Sequence, residues 1–126
     1  MTQSTPDPRD VLPLSPAVFG ILLALADEDL HGYAIMQRVG ARADGSPRIG
    51  PGTLYSAIRR LLADGLVEES TNRPAAEHDD ERRRYYRLTG FGRRVAGAEA
   101  ARLEGLVRHA RRSRLLPAES VAAGHP

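Results

Sequence analysis

The sequence predicts a mainly α fold with a small two-stranded β wing, and three observations predict it. Helical periodicity recurs in three stretches before residue 66 and returns from Thr89 to about residue 113. Two short strand candidates, 66–70 and 83–89, lie between the third helix and the last, separated by a stretch holding Asn, Pro and acidic residues. The third helix, opened by Pro51, has one apolar face and one face of small, hydroxylic and arginine side chains. The element order is therefore helix, helix, helix, strand, strand, helix.

Residues 1–13 are rich in Pro, Asp, Thr and Ser and predict a flexible arm. Ser15 and Pro16 open the first helix as N-cap and first helical residue. Val18, Phe19, Leu22, Leu23 and Leu25 then carry it to about Ala26. A second helix fits 32–42, with Tyr33, Ile35, Met36 and Val39 as a partly apolar face. Gly, Ser and Pro make 43–49 a loop.

In the third helix, Leu54, Ala57, Ile58, Leu61 and Leu62 fall within a face about 140° wide at 100° per residue. Gly52, Ser56, Arg59, Arg60 and Ala63 lie opposite, flanked by Thr53 and Tyr55, and Gly65 supplies the C-terminal stop. In the second strand, Tyr86 and Leu88 share one side, and Tyr85 and Arg87 the other. The stretch 71–82 is too long for a tight turn and suits a mobile wing.

Thr89 caps the last helix. Its apolar positions drift: Phe91, Val95 and Ala98 cluster first, and Leu103, Leu106, Val107 and Ala110 cluster about 90° further round. Such drift predicts two partners, the chain's own domain and then a second copy of the chain. Gly97, Ala101 and Gly105 recur at four-residue spacing, which permits close helix approach, although Ala/Gly bias accounts for the pattern equally well. Residues 115–126 read as a flexible tail.

Composition narrows the chemistry. The 126 residues suffice for one domain burying somewhat under about 70% of its unfolded surface. There is no cysteine, which excludes disulfides, thiolate metal sites and thiol redox sensing. His31, His78, His109 and His125 form no helical metal pair. His31, just before the second helix, reads as a cap or structural contact. No clustered nucleophile, base and acid stands out, and no glycine loop follows a strand, so neither an enzyme nor a cofactor is expected. The apolar run 17–26 is broken by Gly20 and too short to cross a bilayer. The polar, proline-rich N-terminus is unlike a signal peptide, so a cytoplasmic protein is expected.

Net charge is only +2, but its distribution is uneven. Acids gather at 27–29, 68–69 and 77–81, and positive charge at 59–60, 82–87 and 108–114. All 18 positive side chains are arginine. A GC-rich coding bias explains that choice, yet arginine's planar fork suits phosphate and guanine edges all the same.

A helix that reads DNA needs apolar anchors on one side, small residues where its backbone nears the duplex, and donors for phosphates and base edges. Gly52, Thr53 and Ser56 meet the size demand, while Tyr55, Arg59 and Arg60 supply donors. Arg82, Arg83, Arg84 and Arg87 are placed to track phosphate or enter the minor groove, with Arg73 further along the wing. Read singly, each piece has a plainer meaning: a surface helix with two arginines, and a solvated charge run.

Together these residues resemble the PadR family of bacterial transcriptional regulators. The resemblance runs from about Leu14 through the last helix. It is carried by Leu30-His31-Gly32-Tyr33, by Gly52-Thr53-Leu54-Tyr55 with Leu61 and Gly65-Leu66, and by Arg84-Tyr85-Tyr86-Arg87-Leu88-Thr89 with Gly92. It implies a winged helix-turn-helix DNA-binding domain over 14–89, a C-terminal dimerisation helix over 90–114, and repression of nearby genes. The single last helix is similar to the smaller subfamily. Gly50 stands where a serine or similar cap often precedes the proline, which implies a looser helix start. The wing insert is longer and more acidic than the family pattern.

The expected partners are double-stranded DNA with a pseudo-palindromic operator, a second copy of the chain, and a small-molecule effector in the dimer cleft. No membrane partner is expected. Expected DNA contacts are Gly52, Thr53, Tyr55, Ser56, Arg59, Arg60, Arg73, Arg82 and Arg83, and expected dimer contacts are Leu103, Leu106, Val107 and Ala110. The alternative is a winged-helix protein-interaction module that does not read DNA, its arginines solvated or paired with Glu68, Glu69 and Asp80.

Overall fold

Each helix begins where a side chain or a proline can satisfy its first turn, and the computed structural model, which describes residues 6–41, 48–70 and 84–118, bears this out element by element. Helix α1 (Pro16–Asp27) starts on Ser15, whose Oγ accepts the Val18 N–H at 3.2 Å. Strand β1 (Leu30–His31) runs directly into α2 (Gly32–Gly40), where His31 Nδ1 accepts the Ala34 N–H at 3.2 Å. The last helix, α4 (Gly90–Arg112), starts on Thr89, whose Oγ1 accepts the Gly92 N–H at 2.9 Å. Only α3 (Pro51–Ala63) has no side-chain cap: Gly50 offers none, and Pro51 alone sets the first turn.

The end of α3 is firmer than its start. Gly65 takes the left-handed conformation at φ 79°, so the Leu66 N–H reaches the Leu61 carbonyl at 2.9 Å and the Gly65 N–H reaches that of Leu62 at 3.2 Å. This Schellman closure turns the chain straight into β2 (Val67–Ser70). Strand β3 (Tyr85–Leu88) returns antiparallel to it, with Val67 opposite Leu88 and Ser70 opposite Tyr85.

The hairpin is the expected wing base, but the sheet has three strands in the order β1-β3-β2. Strand β1, only two residues long, is too short to show any alternation in the sequence. Its addition changes the fate of Tyr85. Alternation placed Tyr85 opposite Tyr86, yet both rings are buried. His31 pairs with Tyr85 across the ladder, and its ring stands edge-on to the Tyr85 ring at 5.2 Å and 86°, covering that face. Burial also pushes the Tyr86 hydroxyl above the usual tyrosine range.

The core gathers Ile21, Leu22 and Leu25 of α1, Ile35 and Val39 of α2, Leu54, Ile58 and Leu61 of α3, and Val95 of α4 around Tyr86. Tyr33 departs from the apolar face expected of α2 and is exposed. At the start of α4, a Cβ on Gly92 would collide with the Leu66 carbonyl, whose carbon would lie 2.8 Å away. Thr89 reinforces this contact: its N–H donates to the Leu66 carbonyl at 3.1 Å and its hydroxyl donates to the Gly65 carbonyl. The end of α3 and the start of α4 are thus held together by backbone.

Of the flexible arm expected over 1–13, residues 1–5 lie outside the described residues, and the remainder lies against the domain. Pro8–Val11 form a short 3₁₀ helix, capped by the Asp7 carboxylate on the Arg9 N–H at 2.9 Å, which lies against α4. Val11, Leu12 and Leu14 pack on the core. The average polarity of the first residues hid Val11 and Leu12, whereas Leu14 opens the expected domain.

A buried carboxylate in α4 faces the same segment. Glu99 is 2% exposed and accepts from Arg102 Nε at 2.8 Å and Nη2 at 2.7 Å. The Arg102 guanidinium holds the Glu99 carboxyl below the usual glutamate range against the opposing effect of burial, and the Leu14 amide draws it the same way. A folded-state value lowered in this manner stabilises the fold above the unfolded glutamate value of about 4.3 and loses that contribution as pH falls through the folded value. Glu99→Gln is therefore expected to lower the denaturation midpoint at pH 7 and to flatten its decline below about pH 4.3. Urea titrations of both proteins from neutral to acid pH check this, and parallel curves would contradict it.

Candidate nucleic-acid interface

Three buried side chains set the roll of α3: Leu54 is 0% exposed, Ile58 2% and Leu61 4%. Because side chains advance by about 100° per residue, anchoring these three turns Gly52, Thr53, Ser56, Arg59, Arg60 and Ala63 outward together. All six are exposed. Arg59 makes no ion pair or hydrogen bond among the described residues. Arg60 has a loose partner in Asp64, Nε to Oδ2 at 4.0 Å on the same helix. Such an exposed pair is worth little and leaves the guanidinium free to re-aim. With no side chain capping α3, the amides of Gly52 and Thr53 in its first turn have no side-chain acceptor from Gly50.

Tyr55 has a second occupation. A Cβ on Gly32 would lie 2.8 Å from Tyr55 Cζ and closer still to its hydroxyl. The ring of Tyr55 therefore rests on the first residue of α2, and any side chain there must push the ring aside. Two motifs separated in the sequence, Leu30-His31-Gly32-Tyr33 and Gly52-Thr53-Leu54-Tyr55, meet here. The contact fixes how the start of α2 sits against α3, while leaving Tyr55 42% exposed. Tyr33, 58% exposed on the first turn of α2, adds an aromatic that sequence reasoning assigned to the core. Its only signal is its place directly after the glycine on which Tyr55 rests.

At the wing base, Arg84 Nη1 pairs with Glu69 Oε2 at 3.2 Å and Arg87 Nε with Glu68 Oε2 at 2.8 Å. These cross-strand pairs neutralise two arginines of the basic run. Asp29, between α1 and β1, accepts a hydrogen bond from the Ser70 hydroxyl at the far end of β2. Arg73, Arg82 and Arg83 lie outside the described residues, as does Asp80. Among the described residues, no group of three His, Cys, Asp or Glu could hold a metal ion. No helix there is long and apolar enough to cross a membrane.

Along α4, the first apolar cluster is partly buried, with Val95 at 0% exposure and Phe91 and Ala98 half-buried. In the second cluster, Leu106 is 55% and Val107 38% exposed, while Leu103 and Ala110 are half-buried. The helix ends in another Schellman closure. Arg114 sits at φ 64°, and the Leu115 N–H reaches the Ala110 carbonyl at 2.8 Å.

The profile of the transcriptional regulator PadR-like family matches residues 21–98. A transcriptional regulator of Mycobacterium tuberculosis (strain ATCC 25618 / H37Rv), Rv3488, is 38% identical over 88 residues, covering 70% of this chain and 76% of that protein. An uncharacterized 37.1 kDa protein in transposon TN4556 of Streptomyces fradiae is 44% identical over 90 residues. That match covers 69% of this chain, which spans only 24% of the length of that relative. Among solved structures, a transcriptional regulator from Clostridium thermocellum is similar at TM-score 0.62 and 26% identity, over 76% of this chain and 87% of that one. A PadR family transcription regulator from hypervirulent Clostridium difficile R20291 shares the fold at TM-score 0.63 and 22% identity, over 78% and 97% of the two chains.

The Tyr55–Gly32 contact makes a specific prediction. Gly32→Ala is expected to cost up to about 1 kcal/mol, because the added methyl pushes aside the exposed end of the Tyr55 side chain. Tyr55→Ala should remove that cost, giving a coupling energy of about 0.5 kcal/mol or more in a double-mutant cycle. Denaturant unfolding of the four proteins measures it, and additive effects would refute the contact.

Proposed function

Because this chain belongs to the PadR-like family of transcriptional regulators, which are not enzymes, we propose that it is a cytoplasmic, homodimeric, sequence-specific DNA-binding repressor of nearby genes. The observation that carries this reading is the outward face of α3, where Gly52, Thr53, Ser56, Arg59 and Arg60 are exposed together over a buried Leu54-Ile58-Leu61 wedge. Small residues let the backbone approach the duplex, the first-turn amides take a phosphate, and the arginines reach base edges or the backbone. Tyr55, its ring seated on Gly32, directs its hydroxyl to a phosphate. Tyr33 joins it from α2, and Arg73, Arg82 and Arg83 hold the flanking backbone from the wing.

The second copy completes the reading device. Leu103, Leu106, Val107 and Ala110 form an apolar stripe with little cover within the chain, and pairing two such stripes buries it. The two α3 helices then enter successive major grooves about 34 Å apart on a pseudo-palindromic site. A small-molecule effector releases the protein by changing that spacing, and a coupling of about 1–3 kcal/mol is enough.

One observation favours the rival reading of a protein-interaction module: Arg84 and Arg87 are already paired with Glu69 and Glu68. Fluorescence anisotropy separates the two readings. The repressor binds duplex DNA with an affinity that falls with salt at a slope of about −0.9 per neutralised phosphate. Arg59→Ala is expected to weaken binding by about 1–3 kcal/mol while unfolding at the wild-type midpoint. Absence of any duplex binding at low salt would favour the interaction module, and wild-type affinity in Arg59→Ala would remove this residue from the interface.

A further inference from the structure

Behind the outward face of α3 lies an open cavity of about 300 Å³, whose lining shares Arg60 with the expected DNA contacts. One wall is the N-terminal segment with Val11 and Leu14, another is Val18 of α1, and the third is the second half of α3 with Ala57 and Leu61. The walls are aliphatic, without an aromatic ring. Arg60 and Asp64 stand at the lining, joined only by the loose Nε contact at 4.0 Å. The terminal nitrogens of Arg60 have no other partner among the described residues.

We propose that this cavity binds an aliphatic carboxylic acid of medium chain length, its hydrocarbon against Val11, Leu14, Val18, Ala57 and Leu61 and its carboxylate on Arg60. The volume stands at the lower end of small-molecule sites, about 300–1,000 Å³, and suits a chain of about six to ten carbons. Apolar walls without an aromatic stacking surface select a saturated chain over a flat ring. The guanidinium holds the carboxylate through its two Nη groups while Asp64 keeps its contact with Nε, so the acid need not displace Asp64.

The position makes the cavity a link between the two ends of the molecule. Its N-terminal wall belongs to the segment that lies against α4, and its α3 wall carries both Leu61 of the buried wedge and Arg60 of the outward face. An acid seated here turns Arg60 inward and alters the packing of the N-terminal segment on α4. This consequence rests on the reading of α3 as the DNA-contacting helix; the binding itself does not.

Calorimetric titration of octanoate into the full chain tests the site without DNA. Saturable binding at one molecule per chain is expected, with octanol about tenfold weaker because it lacks the charge. Arg60→Gln should bring octanoate to the level of octanol, and Ala57→Leu, which fills the cavity, should abolish both while the protein keeps its cooperative unfolding. No saturation up to about 10 mM, or binding unchanged in both variants, would overturn the site. In a second arm, octanoate is expected to weaken duplex binding by about tenfold in wild type and not in Ala57→Leu. Binding with no effect on the duplex would overturn the link to α3 but not the site. Failure of the wild-type chain to bind duplex at all would overturn the DNA reading and leave the calorimetric result standing.

Discussion

The burial of Leu54, Ile58 and Leu61 is the constraint on which the rest of the structure depends. Each buried side chain of this size contributes about 1.5–3 kcal/mol relative to exposure. Turning α3 by a single residue would bring polar groups into the core and these three into water. That cost fixes the roll of the helix, and the roll decides which side chains face outward. The small and arginine-bearing face is therefore a consequence of packing rather than of any interaction it makes itself. The weak start of the helix at Gly50 fits this division: the hold comes from the core and from the Schellman turn at Gly65, and the first turn is left uncapped by any side chain.

The second constraint is the backbone seam between α3 and α4. Gly92 meets the Leu66 carbonyl, while Thr89 bonds both Gly65 and Leu66, so the two helices cannot shift independently where they meet. At its other end, α4 carries the apolar stripe of Leu106 and Val107. The backbone seam with α3 and the exposed apolar stripe are thus carried by the two ends of one helix. Glu99, midway along it, binds the N-terminal segment into the same unit.

Much of this was legible in the sequence where a local rule acts alone. Ser15, Thr89 and Gly65 announced helix ends because capping depends on a few neighbouring residues. The faces of α3 followed from a period that the core did not override, and the drift of apolar positions along α4 matches its change from buried to exposed. What stayed hidden depends on contacts between distant segments. Strand β1 exists because β3 is there to pair with it, and that pairing buries Tyr85 against the expected alternation. Tyr33 looked like core by periodicity, yet faces water. The burial of Glu99 depends on its pairing with Arg102 and on the N-terminal segment, neither of which a local rule predicts. The short 3₁₀ helix was masked by the polar residues around Val11 and Leu12.

The absence of cysteine from the sequence allows a direct test of the roll of α3. Single cysteines at Ser56 and Ile58, treated with a maleimide reagent, report which face is accessible. The account predicts that the thiol of Ser56→Cys reacts at the rate of an exposed group and is protected by duplex DNA at low salt. The thiol of Ile58→Cys should react only on unfolding, with or without duplex. A slow Ser56→Cys in the free protein, or a fast one that duplex leaves untouched under conditions where it binds, would contradict the assignment of this face to DNA.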